Sequence, residues 1–457
     1  MTLAFAPESL ASWSQGKWSQ LPTQPIPGFS ADTRTLHAGD TFVAIKTGQR
    51  DGHDYLKQAR ERGAACALVS RAVADELPQL VVDDSLTGLR RIAAAWRQQF
   101  TGLVVGVTGS VGKTSTKDLL GLLLGSSAFI TEANLNNLLG VPLMLLRLDA
   151  TKHRFAVIEA GMSVPGELKI SAQVMRPNLA IVTTVAPVHL EGVATLAGVA
   201  REKSALVAAL APGGKAIIPA SLLAWPDFQP FADRTWAVQF AGDAAPAVKP
   251  ARLIKASLEA TGAQRTLTID GVSYALPMVS DGLAHNAALA VVVALEAGVT
   301  PGAIRQVLAH WLPSLGRGSV HTLADQKFYI DCYNSSPTSL LDAAQCFHQL
   351  SMAEARPRLF VIGGMGELGT EAAKLHRECG AQLPVRAGDT VIGWSGHAGD
   401  LLAGIQVAGV QKVLANSLTE VAAAIGHHHG FIFIKGSRSC TLERALPSAL
   451  QAQITFH

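Results

Sequence analysis

Residues 104–120, VVGVTGSVGKTSTKDLL, constrain the fold more than any other stretch of the chain. A β-branched apolar run breaks at glycines and passes directly into a helix-forming run. A strand, a tight loop and a helix in that order belong to a parallel α/β sheet, with the loop at the carboxyl end of its strand. The usual phosphate-loop spacing, G-x-x-x-x-G-K-[ST], would need glycine at 107. Val107 stands there, and the glycines are Gly106, Gly109 and Gly112. The chemical requirements are met all the same. Gly109 and Gly112 let the backbone turn so that the N–H groups of residues 108–115 (Thr108, Gly109, Ser110, Val111, Gly112, Lys113, Thr114, Ser115) converge. The helix start adds partial positive charge. Lys113 can reach terminal phosphates, and the Thr114 hydroxyl can ligate Mg²⁺. The bland alternative is a glycine-rich turn with an accidental lysine, and G-K-T-S at a helix start argues against it.

The flanking sequence extends this into three α/β units. Residues 1–84 carry short β-rich runs, TFVAIKT, CALVS and QLVVDD, around the helical YLKQARERG. Residues 85–313 open with the helix LTGLRRIAAAWRQQF. The continuous apolar runs GLVVGVTG, RFAVIEAG, NLAIVTTV and GKAIIPA then predict a parallel sheet covered on both faces. An alternating stretch from Ala251 to Met278 predicts antiparallel strands, and HNAALAVVVALEAG a helix ended by glycine. WLPSLGRGS marks a boundary. Residues 314–457 repeat the α/β pattern with KFYIDCY, RLFVIGG, DTVIGW and FIFIKG. Four hundred and fifty-seven residues exceed one hydrophobic core.

Charge and composition exclude several classes. A net charge of +3 with mixed signs gives no nucleic-acid groove, and no apolar run is long enough to insert in a membrane. The N-terminal residues lack the pattern of a signal peptide. Five scattered cysteines without a C-x-x-C fit reduced thiols in the cytoplasm.

Beyond the loop, Glu159 ends the strand FAVIE and His189 follows LAIVTTVAPV, both where an open parallel sheet binds ligands. Each could be an ordinary loop residue; beside a phosphate loop they read as part of a metal and phosphate site. Lys203 occupies a position on the helical stripe Leu196, Val199, Leu206, Val207, Leu210. Such a lysine either threads its ammonium to water or sits in a closed site, where a neutral amine can take up CO₂ as a carbamate and hold a second Mg²⁺. Gly364, Gly366 and Gly369 spell G-x-G-x-x-G after a strand, but no acid ends the next strand, which weighs against a dinucleotide site. The GHHHG at 426–430 reads as a loop, since three adjacent histidines cannot all face one metal.

TGSVGKTS (108–115) resembles the ATP loop of the Mur ligases, which carry T-G-[ST]-x-G-K-T; that spacing accounts for Val107. NLNNLLGVPLMLLRL, HLEGVATLAGVAREK, DCYNSSPTSL, GGMGELG, KGSRS and SADTRTLHAGDTFVAIKTGQRDGHDY are similar to segments of the same family, in order along nearly the whole chain. The resemblance implies three domains: a UDP-substrate-binding N-terminal domain, a central P-loop ATPase domain and a C-terminal Rossmann-like ligase domain. It implies an ATP-dependent, ADP-forming amide ligase of the bacterial cytoplasm, acting in peptidoglycan precursor synthesis and expected to be a monomer. Its partners would be UDP-N-acetylmuramoyl-tripeptide and D-alanyl-D-alanine, its cofactors ATP and Mg²⁺; a sister reaction adding one amino acid is the alternative. By resemblance, Lys113, Glu159, His189, Lys203 and Arg317 would be catalytic, and Thr114, Glu159, His189 and Lys203 would surround the metal. Asn286, Arg317 and Asp331 would complete the nucleotide site. Thr33, Arg34 and Lys46, with Asp51 to His53, would lie at the UDP end, and Asn134, Asn136 and Asn137 along the muramoyl-peptide. Tyr333, Asn334, Lys435 and Arg438 would face the nucleotide or the dipeptide. Gly364, Leu289, Thr184 and Ser335–Ser336 depart from the family's commoner residues.

Overall fold

The computed structural model describes residues 4–187, 195–261, 264–352 and 354–454. Three sheets follow one another along the chain. The first has β1 (Lys17–Trp18), β2 (Phe29–Ser30), β3 (Thr41–Val43), β4 (Cys66–Val69) and β5 (Gln79–Val81), in the order β1-β5-β4-β3-β2. β2 to β5 run parallel and β1 antiparallel to β5.

The second sheet contains β6 (Leu103–Thr108), β7 (Ala128–Ile130), β8 (Phe155–Glu159), β9 (Leu179–Val182), β10 (Lys215–Pro219), β11 (Thr235–Phe240), β12 (Arg252–Thr261), β13 (Gln264–Ile269) and β14 (Val272–Pro277). Its order is β14-β13-β12-β11-β10-β9-β6-β8-β7. The strands are parallel from β7 to β12 and antiparallel from β12 to β14, as the change from continuous to alternating apolar residues predicts. β6 lies between β8 and β9. The chain leaves it toward β7 and β8 on one side and later builds β9 to β12 on the other. The connections diverge there, which opens a crevice at the end of β6.

The third sheet has β15 (Ser319–Leu323), β16 (Gln326–Asp331), β17 (Arg358–Gly363), β18 (Thr390–Trp394), β19 (Gln411–Ala415) and β20 (Phe431–Lys435), ordered β15-β16-β20-β17-β18-β19. All pairs are parallel except the β15–β16 hairpin. The sequence reading missed β19 because an edge strand has no need of an apolar run: Gln411 to Leu414 are exposed.

The first unit is more tightly joined to the second than its sequence suggests. Helix Ser85–Gln99 carries Leu89, Ile92 and Ala93 into a core that also takes Phe5 and Leu10 from the first unit and Val104, Ala156 and Leu206 from the second. Arg97 fastens its end. That buried guanidinium donates to the carbonyls of Met175 (2.9 Å), Phe100 (3.2 Å) and Arg176 (3.2 Å) and to Asn178 Oδ1 (3.0 Å). On the opposite face of the central sheet, helix Lys113–Leu124 packs against helix Asp281–Glu296, whose run from Ala287 to Ala294 is buried. Among the described residues no helix is long and apolar enough to cross a membrane.

Candidate active site

The loop after β6 is built by two glycines in conformations that side chains rarely adopt. Gly109 has φ 146° and Gly112 φ 85°, the latter capping helix Lys113–Leu124. Both are also pressed by neighbours: an added Cβ would lie 1.8 Å from Thr183 Oγ1 at Gly109 and 2.0 Å from Asn286 Nδ2 at Gly112. Hydrogen bonds from β9's extension hold the loop. Thr183 Oγ1 donates to the Val111 carbonyl (2.5 Å), Ser110 N–H to the Thr184 carbonyl (2.8 Å), and Ser110 Oγ to the Ala186 carbonyl (3.1 Å). Thr108 Oγ1 donates to the Ala160 carbonyl (2.7 Å), which ties the loop's entry to the end of β8. Thr183 was not singled out from the sequence, because its role depends on a strand neighbour some seventy positions away in the chain.

Gly112→Ala is expected to weaken Mg–ADP binding at least about tenfold. A left-handed alanine costs roughly 1–3 kcal/mol, and its methyl displaces Asn286. Calorimetric titration of the variant would check this; binding within twofold of wild type would contradict it.

Around the loop lies a cavity of about 770 Å³ whose walls come from the second and third units. The loop residues Ser110 to Ser115 form one wall with Asn134, Asn136, Asn137, Glu159 and Asn286; Arg317, Asp331, Tyr333, Asn334 and Lys435 form the other. Lys113 Nζ donates to the Gly109 carbonyl (2.9 Å). Burial holds its pKa below the ordinary lysine range; Glu159 and Glu367 oppose that shift, and Arg317 adds to it. Arg317 lies over the Tyr333 ring at 3.8 Å. At the ends of β16 and β20, the buried Lys435 ammonium donates to Asp331 Oδ2 (2.5 Å) and to the Asn334 carbonyl (3.1 Å).

Glu159 is buried. Its Oε1 accepts from Asn136 Nδ2 (2.7 Å), and its Oε2 has no hydrogen-bond partner among the described residues. A buried carboxylate oxygen left unpaired, on a wall shared with the Thr114 hydroxyl, fits a hard divalent cation. Lys203 resolves the alternatives left by its helical stripe: it is fully buried, so its ammonium does not reach water. Its Nζ likewise lacks a partner among the described residues. Burial, reinforced by Lys113, drives its pKa well down, while Glu202 and Glu159 act against that shift. His189 lies outside the described residues.

The remaining residues from the sequence reading lie elsewhere. Thr33, Arg34 and Lys46 belong to the first unit and do not line the cavity. Thr33 Oγ1 donates to Gln58 Oε1 (3.0 Å), Arg34 pairs with Asp32 (2.6 Å), and the Lys46 backbone forms an isolated antiparallel β-bridge with that of Asp51. Beside them the buried His53 accepts at Nε2 from the Ser70 N–H (3.0 Å), which leaves its Nδ1 proton to Asp51 (2.5 Å). Arg438 is also off the cavity wall; it pairs with Glu443 at 2.6 Å. Unforeseen cavity residues include His285, whose ring lies 3.9 Å from that of Phe240, and Asp342. All five thiols are free and buried. Burial pushes those of Cys66, Cys332 and Cys346 up to about 12, far from a thiolate nucleophile.

A phosphate-type loop at the switch point of a parallel sheet, facing a second α/β unit across a deep cavity, defines an enzyme that works on a nucleotide between two domains. Residues 107–294 match the Mur ligase middle domain and residues 25–96 the Mur ligase family catalytic domain. The chain is 32% identical over 423 residues to the UDP-N-acetylmuramoyl-tripeptide–D-alanyl-D-alanine ligase of Escherichia coli, covering 91% of this chain and 92% of that one. It is 27% identical to the ligase of the same name from Bacillus subtilis, with 94% of each covered. A crystal structure of MurF from Acinetobacter baumannii superposes with a TM-score of 0.86 at 27% identity, over 99% of this chain and 100% of that one. The chain belongs to the Mur ligase family.

Proposed function

We propose that the chain joins D-alanyl-D-alanine to UDP-N-acetylmuramoyl-tripeptide with conversion of ATP to ADP and phosphate, in bacterial peptidoglycan precursor synthesis. The observation that carries this is the cavity walled on one side by the phosphate loop and on the other by the strand ends of the third unit. In our reading residues 1–84 hold the UDP end, 85–313 the ATP and 314–457 the dipeptide.

A carboxylate and an amine do not condense unaided in water. A tripeptide carboxylate oxygen attacks the γ-phosphorus, the bond to the ADP oxygen breaks, and an acyl phosphate forms. The dipeptide amine then attacks the carbonyl carbon, phosphate leaves, and the amine proton is lost. The first step brings an anion toward a polyanion, so fixed positive charge governs it. Lys113, the loop N–H groups and Arg317 supply that charge from this chain, and Asn286 steadies the loop by its contact with Gly112. Mg²⁺, held by Glu159 and Thr114 with His189, would add charge neutralisation for the phosphates. Carbamylated Lys203 would hold a second ion. Asn134, Asn136 and Asn137 orient the muramoyl-peptide, and Tyr333, Asn334 and Lys435 close the other side. Arg438 serves the dipeptide from beyond the cavity wall. Cavity walls from two units bring the reactants together and exclude water.

Phosphate release measured with UDP-muramoyl-tripeptide, with and without D-alanyl-D-alanine, tests the reading. Sustained release that needs both substrates supports it. Release driven by a single amino acid, with a UDP-muramoyl-dipeptide acceptor, would assign the sister reaction instead.

A further inference from the structure

Arg265, on β13, is buried and does not line the cavity, yet its guanidinium joins two units. Nη1 is in close contact with Asp281, the first residue of helix Asp281–Glu296. Nη2 donates to Gln349 Oε1 (2.8 Å) on helix Pro337–Met352 of the third unit, and Nε to Met278 Sδ (3.4 Å). A second bond crosses the same junction: Gly282 N–H donates to Asp342 on that third-unit helix (3.2 Å). Met278 itself packs into the third unit's core with Phe347 and Phe360. The first turn of helix Asp281–Glu296 is thus held from outside its own unit. One turn further on, the same helix presents His285 against Phe240 and Asn286 against Gly112.

We infer that Arg265 is a positioning residue: through Gln349 and Asp281 it makes the seating of the third unit set the helix that aligns His285 and Asn286 with the nucleotide loop. A planar guanidinium projects its two Nη donors apart in a fixed fork, so it reaches partners on two elements in one geometry; a lysine gathers its donors on one nitrogen and lacks that spread. A desolvated charge loses much when one partner goes, so the junction is held in a single arrangement rather than sliding. A helix is stiff along its axis, and a displacement at Asp281 reaches Asn286, five residues on, with little loss. The inference rests on the nucleotide-site reading above.

The test is Mg–ADP affinity of the full chain, measured by calorimetric titration, with melting temperature recorded alongside. Gln349→Ala removes the inter-unit half of the bridge and leaves Asp281 paired. It is expected to weaken Mg–ADP binding at least about fivefold, at the low end of typical coupling between sites. Arg265→Lys should match it, since it keeps Asp281 but not the bridge. Arg265→Gln should be weaker still, and adding Gln349→Ala to it should change little, because both act on one connection. A purely structural arginine would lower the melting temperature and leave affinity unchanged. Mg–ADP affinity of Gln349→Ala within twofold of wild type overturns the inference, whatever the melting temperature and whether or not the Arg265 variants fold. Absence of Mg–ADP binding by the wild-type chain overturns the nucleotide-site reading and this inference together. Failure of the tripeptide-dependent phosphate assay with ADP binding intact overturns the substrate assignment alone.

Discussion

Lys113→Ala is expected to reduce ATP-dependent ligation by roughly 10²- to 10³-fold, the scale on which single preorganised charge stabilisers matter. The melting temperature should stay the same or rise. Lys113 sits over the loop with its ammonium donating to the Gly109 carbonyl, and burial disfavours its charged form. Its removal therefore relieves a desolvation cost in the folded chain. The same removal takes away a fixed positive charge directed at the phosphates while negative charge builds on them. A group that is costly in the resting protein and needed in the transition state separates stability from activity. Purified variant and wild type would be compared in the phosphate-release assay and by thermal melting. Turnover within tenfold of wild type would remove the lysine from the chemistry. A large loss of activity accompanied by a collapsed melting temperature would show instead that the lysine supports the loop.

What could be read in the sequence follows from how far apart the cooperating residues lie. The loop is local. Its strand, two glycines, lysine and threonine are contiguous, so the irregular spacing at Val107 did not hide it, and the structure places those elements around Gly109 and Gly112 as expected. The switch from parallel to antiparallel strands was legible for the same reason, because burial on one or two faces is written in the period of each strand. Lys203 was legible as a breach of helical pattern, although only its burial decides between the snorkelling and the enclosed lysine. Thr183, His285, Asp342 and Arg265 were not legible. Each acquires its place at least in part from a partner more than forty residues away, and each is an unremarkable polar residue in its own segment. The core shared by the first two units was hidden as well: the amphipathic stripe of helix Ser85–Gln99 shows that it packs, not that it packs on two sheets. Arg438 follows the strand that delivers Lys435 to the cavity, and its side chain pairs with Glu443 off the cavity wall, a placement that the motif alone does not show.

Lys203→Ala should lose about as much activity as Lys113→Ala, and part of that loss should return with formate or acetate. The buried Nζ has no hydrogen-bond partner among the described residues, while Glu159, also short of one partner, lies close enough to act on it electrostatically. A charged ammonium in that position would be expensive. A neutral amine is affordable there, and a neutral amine adds to CO₂: a C–N bond forms, a proton leaves, and the side chain ends in a carboxylate. That places an anion near Lys113 where the unmodified side chain is a neutral amine. Linkage gives the same picture for the unmodified chain. With its folded pKa lowered, Lys203 binds its proton in the unfolded state and releases it on folding, so its contribution to stability grows as pH rises from the folded pKa toward the ordinary lysine range. The alanine variant leaves a space where the side chain ran, and a small carboxylic acid can enter it and supply the missing anion. Propylamine, of similar bulk and opposite charge, should not restore turnover. Depleting CO₂ from the wild-type preparation should lower its activity reversibly. If the alanine variant turned over normally, or if amine and acid rescued it equally, Lys203 would be no more than a buried lysine filling space.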